Sequence, residues 1–272
     1  HTHGYKSSII GKLLGKLLRL VVVSTYHAGE PGSGRMKVYN AVDYFFSCLS
    51  FNIAVSLPIY EKIPSKKKIK LSNFVEISDC TNDIGEKKKI IFAGRFSYEK
   101  GPERFKQLAQ CLPQYEFEMF GTGPMLNELQ KKSPKNLSFP GFCNNTSTIW
   151  KNAALLCITS RHEGMPLVGL EAMACGVPVI AFNVGELNCL IDVGKNGFLI
   201  SPGDIDAMKK KITYFMEMSD NEKQMFSCAA RKKIIRHFSN KQMIKHVIRF
   251  YKFCLRNQYD ANKKNYPNKK DL

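Results

Sequence analysis

The feature that most limits what this chain can become is an alternation. Short apolar runs keep giving way to stretches with helical spacing, and strands followed by helices in this order build βαβ units around a parallel sheet. Ile9, Leu13, Leu17 and Leu20 recur on one side of a helical wheel that keeps Lys12, Lys16 and Arg19 elsewhere, so an amphipathic helix is expected over about 7–19. VVVSTYH (21–27) follows as a buried strand running into a loop, with a Gly-rich turn over 29–34 (GEPGSG). NIAVS (52–56) reads as a second strand and KKKIKLSNFV (66–75) carries a third. From Glu76 to Lys89 the sequence turns polar, which marks a linker.

The pattern then restarts with sharper definition. IIFAG (90–94) is a strand, and PERFKQLAQCL (102–112) is a helix with Pro102 suited to its first turn. YEFEMFGTG (115–123), LSFPGF (137–142) and ALLCITS (154–160) supply further strands. Met165–Ala174 is expected as a helix with Pro166 at its start and Gly176 just past its end, followed by the strand VPVIAF (177–182). Asp204 is placed to cap a helix whose Ile205, Met208, Ile212 and Phe215 face inward, and Asn240–Leu255 is the last amphipathic helix. The expected fold class is α/β, in two βα halves on parallel sheets, the first of them short. The boundaries that follow are 1–80, 81–239, a terminal helix over 240–258, and a basic disordered tail over 259–272.

Composition narrows the partners. Hydrophobic residues at 44% and charged residues at 24% are ordinary globular values, so the bulk of the chain has a core to bury. Forty-one Lys and Arg against 23 Asp and Glu give a formal net charge of +18, which favours anionic partners without choosing among them. The lysine runs Lys66–Lys68, Lys87–Lys89 and Lys209–Lys211 lie far apart without interleaved aromatics, so nucleic acid is not an expected partner. Nine cysteines, odd in number and never spaced C-x-x-C, read as reduced thiols of a cytoplasmic protein. The chain opens without a signal-peptide pattern, and its longest apolar stretches, near Leu17–Val23 and Ala153–Thr159, are too short to span a bilayer. A peripheral contact with the inner membrane face is a further expectation, since Lys12, Lys16 and Arg19 share one helix.

The segment richest in chemistry is SRHEGMPLVGLEAMACGVPVIAF (160–182). It sets Glu163 at the carboxyl end of a buried strand and Glu171 eight positions on, within the following helix. In an open parallel sheet, ligands bind in the crevice outside the carboxyl ends of the strands, which aims Glu163 at that crevice. The amides of Gly164, Met165 and Leu167, around Pro166 at a helix N-terminus, suit a phosphate. Unaided, the same glutamates read as surface residues favouring a helix dipole.

This stretch resembles the retaining glycosyltransferases of group 1, family 4, with the GT-B fold; the resemblance implies two Rossmann-like domains with parallel sheets, the first one incomplete, and a terminal helix (240–258) packing back toward the first domain. The likeness continues through NVGELNCLIDVGKNGFLISPGD (183–204) and includes that family's E-x7-E pair, here Glu163 and Glu171. Upstream, FAGRFSYEKG (92–101) resembles the strand and loop that give an Arg and a Lys to the donor diphosphate, here Arg95 and Lys100, flanked by Gly94. FGTGP (120–124), with Gly121 and Gly123, and FPGF (139–142) resemble two more landmarks in order. HTHGYKSSIIGKLL (1–14) resembles the family's amino-terminal loop and helix, where an H-x-H stretch provides a histidine facing the donor sugar; His3 is the candidate. VVVSTYH resembles the next strand and loop and places His27 on the acceptor side.

The resemblance implies transfer of a sugar from a nucleotide-sugar donor, UDP-linked, to a glycan or lipid-linked acceptor in polysaccharide or cell-surface glycan synthesis. A truncated relative that binds nucleotide sugar without transfer is the alternative. It implies catalytic roles for Glu163, His3, Arg95 and Lys100, and donor contacts from Gly94, Gly121, Gly123, Gly164, Met165, Pro166, Leu167 and Glu171. No protein nucleophile, no metal and no cofactor are expected. Asp204 and Asp206 spell a D-x-D metal motif but follow Pro202 and Gly203 at a helix start, which favours capping. One departure is clear: the family's G-G-x-x-E appears as Val184, Gly185, Glu186, Leu187 and Asn188, with one glycine missing and the glutamate early. Roughly 80–100 residues of a full-length relative, judged by domain size, are expected to be missing from the amino-terminal half.

Overall fold

The computed structural model describes residues 1–27, 35–77 and 89–265, except for the side chains of 35, 36 and 258–265. The Gly29–Gly34 turn and most of the polar linker lie outside the described residues, as do 266–272. The chain divides into two compact units, His1–Ser72 with Lys241–Leu272, and Asn73–Asn240. Among the described residues no helix is long and apolar enough to cross a membrane.

The first unit is a four-stranded parallel sheet, β1 (Thr2–His3), β2 (Val23–Tyr26), β3 (Phe51–Ala54) and β4 (Lys68–Lys70), in that spatial order. Parallel neighbours need crossovers, and α1 (Tyr5–Leu17), α2 (Arg35–Phe45) and α3 (Leu57–Lys62) supply them. Val23, Phe51 and Ile53 pack against Phe250 and Cys254 of the last helix, Asn240–Asn265. That helix runs past Leu255, so 259–265 are helical rather than a disordered tail; no Gly or Pro interrupts the sequence before Pro267.

Helix α1 corrects a second expectation. Its inward face is Ser8, Lys12 and Gly15, while Leu13, Leu17 and Leu20 are exposed. The reason is distance: a Cβ on Gly15 would lie 2.1 Å from Val22 Cγ2, and one on Gly11 2.6 Å from Thr2 Cγ2. Small residues let the helix sit close to the sheet, and the larger leucines are left outside. Lys12 is fully buried, with Nζ 2.5 Å from Asp43 Oδ1 and donating to Tyr26 Oη at 2.7 Å. It is therefore not part of a basic surface for a membrane. Burial pushes the Lys12 ammonium below its ordinary range against the pull of Asp43, and burial with the Asp43 charge pushes Tyr26 up.

The second unit carries a six-stranded, wholly parallel sheet: β5 (Lys89–Ala93), β6 (Glu116–Phe120), β7 (Leu137–Gly141), β8 (Ala153–Ile158), β9 (Val179–Phe182) and β10 (Gly197–Ile200). Both faces are covered, which is why β5, β8 and β9 are nearly continuous apolar runs. Alternate residues serve opposite faces. Ile91, Leu156, Ile158 and Val179 meet α6 (Thr146–Lys151), α7 (Leu167–Ala174), the short α8 (Leu187–Leu190) and α10 (Asp220–His237) through Trp150, Leu170, Met173, Leu190 and Ile234. Phe92, Leu155, Cys157 and Ile180 meet α4 (Pro102–Cys111), the short α5 (Leu126–Gln130) and α9 (Ile205–Met216) through Phe105, Leu108, Leu129, Met208 and Ile212. Asp204 caps α9 by accepting from the Ala207 amide at 2.9 Å, so its D-x-D spelling is a capping feature.

Candidate functional site

The strand order of the second unit is β10-β9-β8-β5-β6-β7. From β5 the chain builds outward through β6 and β7, then returns to place β8 on the other flank of β5. The loops leaving β5 and β8 therefore diverge, and the crevice between them, at the carboxyl ends of both strands, is the topological switch point. Apart from His3 and His27, the residues singled out in the sequence fall on these two loops and their neighbours.

The loop after β5 carries Gly94 and Arg95, then a tight turn over Tyr98–Lys100. It is pinned against the end of β8 at Gly101, whose φ of +59° and Cβ position, 2.4 Å from the Thr159 carbonyl oxygen, leave no room for a side chain. Thr159 Oγ1 donates to the Gly101 carbonyl at 2.8 Å. This contact brings Lys100 over the next loop. Lys100 Nζ lies 2.9 and 2.8 Å from the two carboxylate oxygens of Glu163, and Ser160 Oγ donates to Glu163 Oε1 at 2.6 Å. The Glu163 side chain is only 6% exposed, so its charge is held by partners rather than by water. Next to Lys100, burial would raise the Glu99 carboxyl, but its hydrogen bond from Ser97, its own backbone, Arg95 and Lys100 together hold it below the usual range.

A cavity of about 500 Å³ opens beside these loops and is lined by Gly94, Arg95, Gly121, Gly123, Phe142 and Glu171, among others. A second, of about 470 Å³, shares Thr146 and Glu171 with it and includes Leu167. Glu171 lies on α7, which begins at Leu167; Gly164, Met165 and Pro166 precede the helix rather than open it. Gly164 accepts from the Glu186 amide at 2.9 Å, and the Met165 carbonyl accepts from Asn73 Nδ2 at 2.8 Å. The structure thus gathers Gly94, Arg95, Gly121, Gly123 and Glu171 on one cavity and joins Lys100 to Glu163 in one ion pair.

His3 and His27 belong to the other unit. There His3 ends β1 and His27 follows β2, its parallel neighbour, and His3 Nδ1 lies 2.9 Å from His27 Nε2, so one ring donates and the other accepts. His1 Nε2 is 2.6 Å from Thr25 Oγ1, and its Nδ1 meets the Tyr251 hydroxyl.

Several lining residues escaped the sequence reading. Cys143, Thr146 and Ile149 flank or occupy α6, a helix too short to show a period. Ser160 and Asn73 act through single hydrogen bonds that no spacing announces.

Comparison with known proteins then places the chain. The family model described as glycosyl transferases group 1 matches residues 76–233, and the chain belongs to that family. An Escherichia coli relative, UDP-Gal:alpha-D-GlcNAc-diphosphoundecaprenol alpha-1,3-galactosyltransferase, is 28% identical, the match covering 88% of this chain and 71% of that protein. The Escherichia coli O-antigen biosynthesis glycosyltransferase WbnH is 27% identical over 65% of this chain and 52% of its own length, so the chain spans about half of that relative. Among solved structures, Anabaena Alr3699/HepE in complex with UDP matches with a TM-score of 0.81 at 19% identity, covering 92% of this chain and 77% of that one. At that identity the likeness establishes the fold: α/β, of GT-B type, on parallel sheets.

Proposed function

We propose that the chain acts as a retaining glycosyltransferase, taking a sugar from a UDP-linked donor to a glycan or lipid-linked acceptor. The observation that carries this reading is the pairing of Lys100 with Glu163 at the switch-point crevice, beside a cavity that Arg95 and Glu171 share. A nucleoside diphosphate needs a pocket for base and ribose, hydrogen-bond acceptors for the ribose hydroxyls, and cations for the phosphates. The cavity offers the first, Glu171 the second, and Arg95 with Lys100 the third. Support for uridine comes from the relatives: the galactosyltransferase is named for a UDP-sugar, and HepE was solved with UDP. A diphosphoundecaprenol acceptor in one relative's name favours a lipid-linked acceptor here.

In this reading the bond from the anomeric carbon to the β-phosphate oxygen breaks as the acceptor oxygen bonds to the same face of that carbon. The acceptor's proton passes to the departing phosphate oxygen. Negative charge grows on the diphosphate during that step, and fixed cations near it lower the barrier. Arg95 and Lys100 fill that role, so the mechanism draws on no metal and no protein nucleophile. The Gly164 to Leu167 segment borders the diphosphate, and Glu163 holds Lys100 and lies by the donor sugar. The roles of His3 at the donor sugar and His27 on the acceptor side rest on the resemblance alone.

The test is transfer from labelled UDP-galactose, UDP-glucose and UDP-N-acetylglucosamine to polyprenyl-diphosphate-linked sugars, with the anomer of the product read by NMR. An α product from an α donor is expected. An inverted product would end the retaining assignment, and nucleotide bound without transfer or hydrolysis would favour a binding-only protein.

A further inference from the structure

Arg161 stands two residues before Glu163, yet nothing in its spacing assigns it a task. In the structure its guanidinium lies over the Tyr98 ring, 3.8 Å from the centroid. Its Nη1 donates to the Tyr98 carbonyl at 2.6 Å, its Nη2 is 2.7 Å from Glu103 Oε1, and its backbone amide donates to the Glu99 carbonyl at 2.8 Å. These partners sit on both sides of Lys100 in sequence. One side chain therefore ties the turn that carries Lys100, and the first turn of α4 behind it, to the loop that carries Glu163.

We propose that Arg161 is a positioning residue for Lys100, a clamp that holds its ammonium at the diphosphate end of the crevice. The proposal rests on the nucleotide-sugar reading of the site. Lys100 is a point charge on a flexible stem, so where its ammonium sits depends on how firmly its backbone is held. The turn is short and its Tyr98 side chain is exposed; besides the Thr159 contacts at Lys100 and Gly101 and the Lys100–Glu163 ion pair, its backbone is fixed to the β8 loop by Arg161 and the neighbouring His162 amide. Only a planar, multi-donor group can stack on a ring, bond a carbonyl and pair with a carboxylate at once. A lysine at 161 reaches one of these partners at a time.

The experiment is a double-mutant cycle on the full chain, read by calorimetric titration with UDP and with UMP, which lacks the β-phosphate. Arg161→Ala is expected to weaken UDP about tenfold and to leave UMP within about twofold. In a Lys100→Ala background the same change is expected to weaken UDP by less than about twofold, because the clamp then has nothing to position. Arg161→Lys is expected to resemble Arg161→Ala. Equal losses for UDP and UMP, or a loss that persists undiminished in Lys100→Ala, would assign Arg161 a merely structural role and overturn the proposal. Amide hydrogen exchange supplies a readout that needs no nucleotide: exchange at Lys100 and Gly101 is expected to quicken in Arg161→Ala, and unchanged exchange would overturn the clamp. If the unmodified chain binds neither nucleotide, the reading of the site fails and takes the proposal with it. If it binds UDP and Arg161→Ala binds equally well, the proposal alone fails.

Discussion

Gly185 shows how much one absent methyl group decides. The loop after β9 departs from its family pattern by one glycine, and the glycine that is kept has φ +61°. A Cβ there would lie 2.3 Å from the Glu163 carbonyl oxygen and 2.6 Å from that of Gly164. Backbone atoms cannot swing aside as side-chain tips can, so the loop rests on the Glu163–Gly164 segment only because Gly185 has no side chain. The neighbouring Glu186 is buried and its amide donates to Gly164, which completes the contact. Gly185→Ala is expected to cost about 1–3 kcal/mol through strain and collision, measured as a lowered thermal midpoint, and to weaken UDP binding at the same time. Unchanged values in both would mean that this loop does not support Glu163. The glycine was legible as part of a motif; its contact was not, because close approach between two loops leaves no trace in either one.

At the scale of elements, α1 separates what periodicity can say from what packing decides. Its leucines have helical spacing, and the helix is where that spacing puts it. The buried face is another matter, since Gly11 and Gly15 come nearer to the sheet than any leucine can. Glycine inside a helix ordinarily costs about 0.5–1 kcal/mol relative to alanine. Gly15→Ala is therefore the informative change: it is expected to destabilise the chain by about 1–3 kcal/mol, the usual cost of overpacking, rather than to stabilise it. Leu17→Gln, at a position 76% exposed, is expected to stay within about 0.5 kcal/mol. Urea denaturation of the two variants checks both, and the reverse order would restore the leucine face to the core. Strands β5, β8 and β9 of the second unit were readable because both their faces are covered, so sequence alone marks them as nearly continuous apolar runs. Helix α10 carried a readable start, a capping box in which Ser219 and Glu222 satisfy each other's backbone amides, but its weakly periodic interior hid it. Helix α2 offered neither cue.

For the whole molecule, the proposed donor-side residues are concentrated in one unit. Arg95, Lys100, Glu163 and Glu171 all lie within Asn73–Asn240, whose sheet has a covered core on each face. This part of the site was legible because it is built from motifs close in sequence, on loops that the sheet order brings to one edge. The pairing of Lys100 with Glu163 was not, since 63 residues separate them and only the switch between β5 and β8 makes them neighbours. The central claim is that this edge binds a nucleoside diphosphate through fixed cations. Calorimetric titration with UDP and with uridine, repeated at rising salt, tests it most directly. UDP is expected to bind at least about tenfold more tightly than uridine, with the margin shrinking as salt screens the phosphate contacts. Equal affinity for the two at low salt, or no binding of either, would contradict it.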